Sequence, residues 1–339
     1  MSEPVTRGWQ RPSIYDVAKL AGVSHMTVSR VLNNHPNIRE STRQRVLDAI
    51  DQTNYTRSSI ARALATRRAM RIGVVVDNPL QYGPNSTIRA LENAARDAGY
   101  AISAFSASDD EDLRIDAGVD ELVAQGVDAL CVIAPRLSSL DLLRQRETGI
   151  PTLIIKSEPD PDMHTAAVDQ RAGAMLVMDH LFNLGHRSIA HVAGPLDWYD
   201  ARAREVAWRD ALAEAGLPAA EAAIGDWSSD SGYQFGRSHD FGAATAIFAA
   251  NDQMALGLIH GLTDRGLRVP QDISIVGFDD LPDSRHFLPP LTTVRQDFSA
   301  LGLLALQLLI SAIEGAPTPG TEMIEPRLIV RESTAPPRL

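Results

Sequence analysis

Cysteine is nearly absent from this chain of 339 residues. The single cysteine, Cys131, lies inside the apolar segment ALCVIAP, where we expect a buried strand. One thiol excludes an internal disulfide framework and a cysteine cluster for a metal ion. The sequence therefore predicts a protein of a reducing compartment with no metal site.

Long hydrophobic runs are absent as well. The sequence has no run of about 18 apolar residues, the length that would indicate a membrane-spanning helix. The N-terminal stretch MSEPVTRGWQRPS includes no hydrophobic signal segment. We therefore expect no membrane partner and a cytoplasmic location.

The common signatures of catalysis are also missing. No GxGxxG follows a predicted strand, and the phosphate-binding pattern GxxxxGK[ST] does not occur. Neither HExxH nor a recognisable Ser/His/Asp set is present, although metal-assisted or nucleophilic hydrolysis would need one of them. The sequence predicts that the protein is not an enzyme and uses no cofactor.

The charge is distributed unevenly along the chain. Residues 1–71 contain 12 Lys and Arg against 5 Asp and Glu, a net charge of +7. The other residues contain 20 against 38, a net charge of −18. A basic head on an acidic body is typical of a small DNA-binding module joined to a body that does not bind DNA.

The segment Ile14–Asn33, IYDVAKLAGVSHMTVSRVLN, contains two short stretches of apolar residues at helical spacing. Ser13, with Asp16 three positions later, predicts a capped helix start. Gly22 can adopt the left-handed turn that ends this helix, and Ser24 can cap the next one. The segment therefore predicts a helix-turn-helix, which places its second helix in the major groove of DNA.

The second predicted helix has one face formed by His25, Met26, Ser29, Arg30 and Asn33. All of these side chains except Met26 can form hydrogen bonds. Arginine matches the O6 and N7 atoms of guanine. An ordinary helix pair with a polar outer face is the alternative, and the basic charge of the head favours DNA binding.

A third helix is predicted to begin at Ser41, with Val46, Leu47 and Ile50 facing inward. Three helices around one small core form a module of about sixty residues, near the lower limit for independent folding. The basic segment YTRSSIARALATRRAMR follows. It predicts either a plain linker helix or a segment that folds only on DNA.

From Arg71 onward, short apolar strands alternate with helical patterns. Such alternation predicts an α/β fold in which helices flank parallel sheets. More than ten strands are predicted, which is too many for one doubly wound unit of the usual size. We therefore expect two α/β subdomains.

Polar residues follow many of the predicted strands, and ligands of open α/β sheets bind beyond the carboxyl ends of the strands. These residues are Asp77, Lys156, Asp169, Asn251, Asp252, Asp279, Asp280, Gln296 and Asp297. The predicted loop AGPLDWYDARAR adds Trp198, Asp200, Arg202 and Arg204, and Trp227 lies in GDWSSDSGY. Carboxylates, amides and indole rings together suit a polyhydroxylated ligand. Any single strand-end Asp or Asn is equally well explained as a helix cap.

Several motifs, occurring in order, together resemble the lactose-repressor (LacI/GalR) family of bacterial transcription regulators. They are DVAKLAGVSHMTVSRVLN, NYTRSSIARALA, AGPLDWYDARAR, GDWSSDSGY, ANDQMALG, IVGFDDLPDS and LPPLTTVRQDF. The resemblance extends from about Ser13 to Arg331. In the core it is closest to the repressor after which the family is named.

The resemblance implies a homodimer that represses sugar-utilisation genes from a palindromic operator of double-stranded DNA. A small sugar, with a galactoside among the candidates, would release it. The implied parts are a headpiece (1–57), a hinge helix (58–70) and a core like periplasmic binding proteins (71–339). Within the core, an N-subdomain would comprise 71–168 and 298–326, and a C-subdomain 169–297 and 327–339.

The resemblance also implies functional residues. DNA contacts would come from Ser24, His25, Met26, Thr27, Ser29, Arg30 and Asn33, and Leu64 would insert into the minor groove. Effector contacts would come from Gln81, Gly83, Pro84, Lys156, Trp198, Asp200, Arg204, Trp227, Asn251, Asp279, Gln296 and Phe298. We expect Asp279 and Arg204 to contact the sugar ring from opposite sides.

The sequence departs from the family pattern at several positions. Arg57 replaces a proline that is usual in the hinge, and Gln81, Lys156, Trp198 and Asp200 differ from the lactose site, which leaves the identity of the sugar open. The chain ends without a leucine-rich heptad tail, so a dimer is expected rather than a tetramer. The alternatives are a family member that responds to a phosphosugar, a purine or a partner protein, a sugar-binding protein with an accessory DNA-binding head, and a sugar-metabolising enzyme with such a head.

Overall fold

The computed structural model describes residues 12–33, 35–55, 68–77, 80–107, 114–133, 136–144, 146, 148–158, 160, 163–316 and 321–338. Contacts between residues divide the chain into two compact units, which comprise residues 1–69 and 70–339. We refer to them as the head and the core.

The described part of the head forms three helices, α1 (Ile14–Ala21), α2 (His25–Leu32) and α3 (Glu40–Thr53). The Ser13 backbone N–H donates to Asp16 Oδ2 at 2.8 Å, and the Asp16 N–H donates to Ser13 Oγ, so the capping box is complete. Gly22 ends α1 with φ 66°, in the left-handed region that favours glycine. Ser24 caps α2 by accepting from the Thr27 N–H at 3.2 Å. The predicted helix-turn-helix is confirmed.

The third helix differs from the prediction in its start and in its buried face. It begins at Glu40 rather than Ser41, after Arg39, which makes no side-chain capping bond. The side chain of Leu47 is 42% exposed, so its predicted inward orientation is wrong. Ala49 is buried instead, because residues three apart share a helix face whereas Leu47 lies about 100° around the helix from Val46.

The core contains a six-stranded sheet in which every neighbouring pair is parallel. Its strands are β1 (Arg71–Asp77), β2 (Ala101–Ala107), β3 (Ala129–Ile133), β4 (Thr152–Ile155), β5 (His164–Val168) and β11 (Thr321–Ile324). Their order across the sheet is β11-β5-β4-β3-β1-β2. Cys131 is fully buried in β3, as predicted.

A second parallel sheet contains β6 (Ile189–Ala193), β7 (Ala223–Ile224), β8 (Ala246–Ala249) and β9 (Ser274–Val276). Their order across the sheet is β7-β6-β8-β9. A small antiparallel pair joins β10 (Thr293–Arg295) to β12 (Arg327–Ile329). The predicted α/β fold with two parallel sheets is therefore confirmed.

Helices cover both sheets. Around the six-stranded sheet are α4 (Tyr82–Asp97), α5 (Ile115–Ala124), α6 (Leu137–Arg144) and α11 (Phe298–Ile313). Around the second sheet are α7 (Gln170–Asn183), α8 (Tyr199–Glu214), α9 (Ser229–Ser238) and α10 (Asp252–Asp264). Separate clusters of buried aliphatic and aromatic residues pack on these sheets. No helix in the described part of the chain is long and apolar enough to span a membrane.

The chain passes between the two sheets at three places. The first crossing leads from β5 into α7 at Gln170, and the second leads from β10 into α11 through Gln296. The third, at residues 325–326, joins β11 to β12. Two of these crossings carry side chains that line a cleft.

Candidate functional site

A cleft with about 640 Å³ of empty space, open solvent included, is lined by residues from both sheets and from the segments that follow their strands. All twelve residues predicted to contact an effector line it, from Gln81 to Phe298. Residues that the sequence did not identify also line it, namely Tyr82, Thr87, Ile133, Ile155, Ala167, Val168, Gln170 and Leu301.

Arg204 is held at the centre of a polar network on one wall. It lies in α8 and is only 3% exposed. Its Nε donates to Gln170 Oε1 at 2.9 Å, and its Nη1 donates to the carbonyl oxygen of Ala250. Its guanidinium carbon lies 3.9 Å from the centre of the Phe278 ring. Burial lowers the pKa of Arg204, although three nearby aspartates act in the opposite direction.

Asp279 joins this network as the acceptor. Its Oδ1 accepts from Gln296 Nε2 at 2.6 Å and lies 3.8 Å from Arg204 Nη2. Burial raises the pKa of Asp279 to about 6, although Arg204 and Gln296 lower it. The expectation that Arg204 and Asp279 contact a sugar ring from opposite sides is wrong, because no ring fits between groups this close together.

Gln170 completes the network and was not identified from the sequence. Its Nε2 donates to Gln296 Oε1 at 2.8 Å and to the Val168 carbonyl at 3.1 Å. Its position two residues beyond β5 is the one feature of the sequence that could have pointed to it. The sequence pattern pointed instead to Asp169, whose side chain caps α7 by accepting from the Ala172 N–H at 2.8 Å.

Two further strand-end residues cap helices, and one of them also lines the cleft. Asp297 caps α11 by accepting from the Ala300 N–H at 2.9 Å. Asn251 does both, because its Oδ1 accepts from the Met254 N–H at 2.9 Å while its Nδ2 donates to the Trp227 carbonyl at 3.0 Å. The capping interpretation therefore holds for some of these residues without excluding a role in the cleft.

The side chain of Asp252 is buried and is not among the residues that line the cleft. Its carboxylate accepts from the Leu281 N–H at 2.8 Å and from the hydroxyl groups of Ser284 and Thr293. Burial, together with the nearby charge of Asp279, raises the pKa of Asp252 to about 7. It ties α10 to the segment that follows β9 and to the first residue of β10.

Two tryptophans contribute aromatic surface to the cleft. The rings of Trp198 and Trp227 meet edge to face, with centroids 6.0 Å apart and planes at 75°. Trp227 has φ 72°, and Asp279 has φ 108°, so two residues of the cleft adopt a backbone region that L-residues rarely occupy. Gly194 makes room for Trp227, because a Cβ there would lie 2.3 Å from the indole ring.

The segment AGPLDWYDARAR is only partly a loop. Helix α8 begins at Tyr199, so Asp200, Arg202 and Arg204 are helical, and the prediction that they lie in a loop is wrong. Helical geometry directs both Asp200 and Arg204, four residues apart, toward the cleft. Burial raises the pKa of Asp200, and Arg204 lowers it.

Lys156 lies on the opposite side of the cleft, directly after β4. Its Nζ is 3.0 Å from Asp160 Oδ2 and 4.8 Å from the centre of the Tyr199 ring. The lysine and this carboxylate are both buried. Gly83, Pro84 and Phe298 also line the cleft, and the Phe298 ring meets that of Tyr82 edge to face, with centroids 5.9 Å apart.

A contact between the sheets lies beside the cleft. Asp77, at the end of β1, accepts from Arg136 Nε at 3.0 Å and from its Nη2 at 3.2 Å. The backbone of Arg136 forms an antiparallel bridge with Trp198, and the Leu137 N–H donates to the Asp197 carbonyl at 2.8 Å. Asp77 is therefore paired within the protein rather than placed among the residues that line the cleft.

The predicted DNA-contacting residues, apart from Leu64, lie on α2 or at its ends. His25, Met26, Arg30 and Asn33 are exposed, and Ser29 and Thr27 are half-buried. Ser24 is exposed and also caps the helix. Leu64 lies outside the described residues, as does most of the predicted hinge. Tyr15, which the sequence did not single out, contacts the ring of His25.

Comparison with known proteins agrees with this architecture. Residues 13–58 match the family described as bacterial regulatory proteins, lacI family, and residues 178–334 match a periplasmic binding protein-like domain. The lactose operon repressor of Escherichia coli K12 is 33% identical over 329 residues, which cover 96% of this chain and 91% of that protein. The HTH-type transcriptional repressor PurR of Haemophilus influenzae is 34% identical over 333 residues, covering 95% and 98%.

Solved structures are similar over the same length. A lac repressor dimer bound to operator and the anti-inducer ONPF has a TM-score of 0.87 at 32% identity, covering 96% of this chain and 100% of that chain. A complex of the transcriptional regulator CelR with cellobiose has a TM-score of 0.70 at 28% identity, covering 95% and 100%. With a head that matches the lacI family and full-length relatives above 30% identity, this chain belongs to the lacI family of DNA-binding transcriptional regulators.

Proposed function

We propose that this regulator represses sugar-utilisation genes and leaves its operator when a small neutral sugar binds the cleft. The observation that carries the proposal is the network of Arg204, Gln170, Gln296 and Asp279, which faces the same cavity as Trp227. Donors and acceptors in fixed positions bind hydroxyl groups, and an indole face covers the apolar face of a sugar ring. The similar CelR structure has cellobiose bound, which is consistent with a sugar.

The charges around the cleft favour a neutral sugar over a phosphosugar. Lys156 lies 3.0 Å from Asp160, and Arg204 lies 3.8 Å from Asp279. Asp200 adds a third carboxylate. A phosphate would have to displace these carboxylates from their cations or lie close to them, and like charges in a partly buried site repel strongly. A purine and a partner protein are competing candidates for the effector.

On the DNA side, we assign base and backbone contacts to Ser24, His25, Met26, Thr27, Ser29, Arg30 and Asn33. Leu64, which lies outside the described residues, would insert into the minor groove at the centre of the operator and kink the DNA. A symmetric dimer requires an inverted repeat whose half-sites are about 10 base pairs apart. These assignments describe a regulator rather than an enzyme, acting at the nucleoid in the cytoplasm.

The first test of the proposed effector is a titration with a panel of small molecules. Purified protein is titrated with neutral mono- and disaccharides, phosphosugars and purines while tryptophan emission is recorded, because Trp198 and Trp227 line the cleft. Operator binding is then measured with and without each compound that binds. A neutral sugar that weakens operator binding supports the proposal, whereas a response confined to phosphosugars or purines would replace it.

The variant Asp279→Ala tests the location of the site. It should bind operator with near wild-type affinity but fail to respond to the sugar, giving permanent repression in cells. Asp230→Ala, which removes the same charge from an exposed position in α9, should respond normally. A folded Asp279→Ala protein that is still released at the wild-type sugar concentration would show that the effector binds elsewhere.

A further inference from the structure

One ring contact in the head is not explained by core packing. The rings of Tyr15 in α1 and His25 in α2 have centroids 5.1 Å apart and planes at 42°. Tyr15 is 64% exposed, and the core of the head is formed by seven buried aliphatic residues. The tyrosine ring therefore lies against the histidine on the outside of the helix pair.

The position of His25 makes this contact relevant to DNA. His25 is the first residue of α2, directly after the cap Ser24, and its side chain is exposed. The N-terminal residues of a recognition helix are the ones that reach base edges. An imidazole can read a base only when its ring nitrogen points at one hydrogen-bonding group, so its side-chain orientation decides which base pair it prefers.

An exposed side chain normally loses rotamer freedom when it binds. A neighbouring ring that restricts the side chain beforehand reduces this loss. Offset and tilted ring pairs are attractive beyond simple burial, and the contact depends on the ring rather than on the hydroxyl group. Tyr15 is placed to restrict His25 in this way.

We propose that Tyr15 is a specificity-determining residue of the head, because its ring holds the His25 imidazole in the orientation that reads one base pair of each half-site. The inference rests on the proposed function, in which α2 reads the operator. In this arrangement Tyr15 acts through His25 and needs no base contact of its own.

The experiment uses the full-length protein and the duplex that it selects most strongly from a random library. Competition with duplexes carrying single base-pair substitutions gives the preference at every position. His25→Ala identifies the base pair that depends on the imidazole, and Arg30→Ala identifies the one that depends on the guanidinium.

Tyr15→Ala should reduce discrimination at the His25-dependent base pair by about twofold to twelvefold, the range expected for an aromatic pair. Discrimination at the Arg30-dependent base pair should not change, which also shows that the head is folded. Tyr15→Phe should behave like wild type because it keeps the ring. In the His25→Ala background, adding Tyr15→Ala should change no base preference further.

Four results would overturn the inference. Equal losses from Tyr15→Phe and Tyr15→Ala would assign the effect to a hydroxyl contact with DNA. Additive losses in the double variant would show that Tyr15 reads DNA independently of His25. If His25→Ala alters one base preference and Tyr15→Ala leaves that preference unchanged, the inference fails and the proposed function stands. If His25→Ala and Arg30→Ala alter no base preference, the assignment of α2 as the reading helix fails as well.

Discussion

The head and the core use arginine in opposite ways. Arg30 is exposed on α2, whereas Arg204 is 3% exposed and already bonded to Gln170 and Ala250. An exposed arginine becomes ordered only when its ligand arrives, so binding must offset the lost side-chain entropy. A buried arginine is ordered during folding, so ligand binding fixes little more of it. In the proposed function, the DNA itself would order the exposed arginine that reads it, whereas the fold has already ordered the arginine that would contact the effector.

The largest expected effect is on the stability of the core. Arg204→Ala would leave Asp279 buried without its cation, and breaking a buried ion pair costs about 3–5 kcal/mol. Arg202→Ala removes the same charge from an exposed position on the same helix and should cost less than about 0.5 kcal/mol. Urea unfolding of both variants measures the difference. If Arg204→Ala and Arg202→Ala were equally stable, the network would contribute little to the stability of the core. The contrast between a buried and an exposed arginine would then be weaker.

The next largest expected effect is the difference in salt dependence between operator binding by the head and sugar binding by the core. If the +7 head contacts about six phosphates, operator affinity should fall about a thousandfold between 50 and 200 mM salt. The affinity for a neutral sugar should hardly change over the same range, because its contacts are buried hydrogen bonds. Titrations of both ligands at several salt concentrations provide the comparison, and a flat operator response would remove the electrostatic argument.

Arg30→Ala tests the exposed arginine directly. If the guanidinium reads guanine, its removal should cost about 1–3 kcal/mol on the operator and relax the preference at one base pair. Arg45→Ala, an exposed control on α3, should change affinity without changing any base preference. Equal losses for Arg30→Ala on operator and random DNA would indicate that Arg30 contacts only phosphate.

The smallest expected effect is the change of stability and of sugar affinity with pH. Burial raises the pKa of Asp279 to about 6 and that of Asp252 to about 7, both above the ordinary value of 3.8. These groups therefore favour folding most below pH 3.8, and this contribution is lost as the pH rises through 6 and 7. Sugar binding should change in the opposite direction, because protonation removes an acceptor.

Between pH 7 and pH 5, a carboxyl group with a pKa near 6 loses about nine-tenths of its ionised form, so sugar affinity should fall about tenfold. Calorimetric titration across this range measures the change. Asp279→Asn keeps the shape of the side chain and removes the titration, so any affinity that it retains should be independent of pH at this site. A wild-type affinity that stays constant from pH 7 to pH 5 would contradict the assigned role of the Asp279 carboxylate.

The head was predicted more completely than the cleft because its structure depends on local patterns. Ser13, Asp16, Gly22 and Ser24 act on neighbours within a few residues, and each lies where the sequence predicted. The error at Leu47 came from choosing between adjacent helix faces, which a three-helix core of this size constrains weakly. The parallel sheets also followed from the alternation of strands and helices.

The cleft depends on pairs that lie far apart in the sequence. Gln170 and Gln296 are separated by 126 positions, and Asp77 and Arg136 by 59. A strand-end position predicts that a polar residue lies near the cleft, but it does not predict whether the residue faces a ligand, caps a helix or pairs with an arginine. The family resemblance supplied twelve of the twenty residues that line the cleft, and the contacts among them became visible only in three dimensions.

The positions of Gln170 and Gln296 have a mechanical consequence. Both lie on segments through which the chain passes from one sheet to the other, and their side chains are bonded to each other at 2.8 Å. Any rotation of one sheet against the other must change the backbone at the three crossings, and two of these crossings carry the glutamines. Two of the groups that would hold a sugar therefore lie on the hinge segments between the two sheets. Stiffening either crossing would alter how far the protein responds to its effector without removing a single ligand contact.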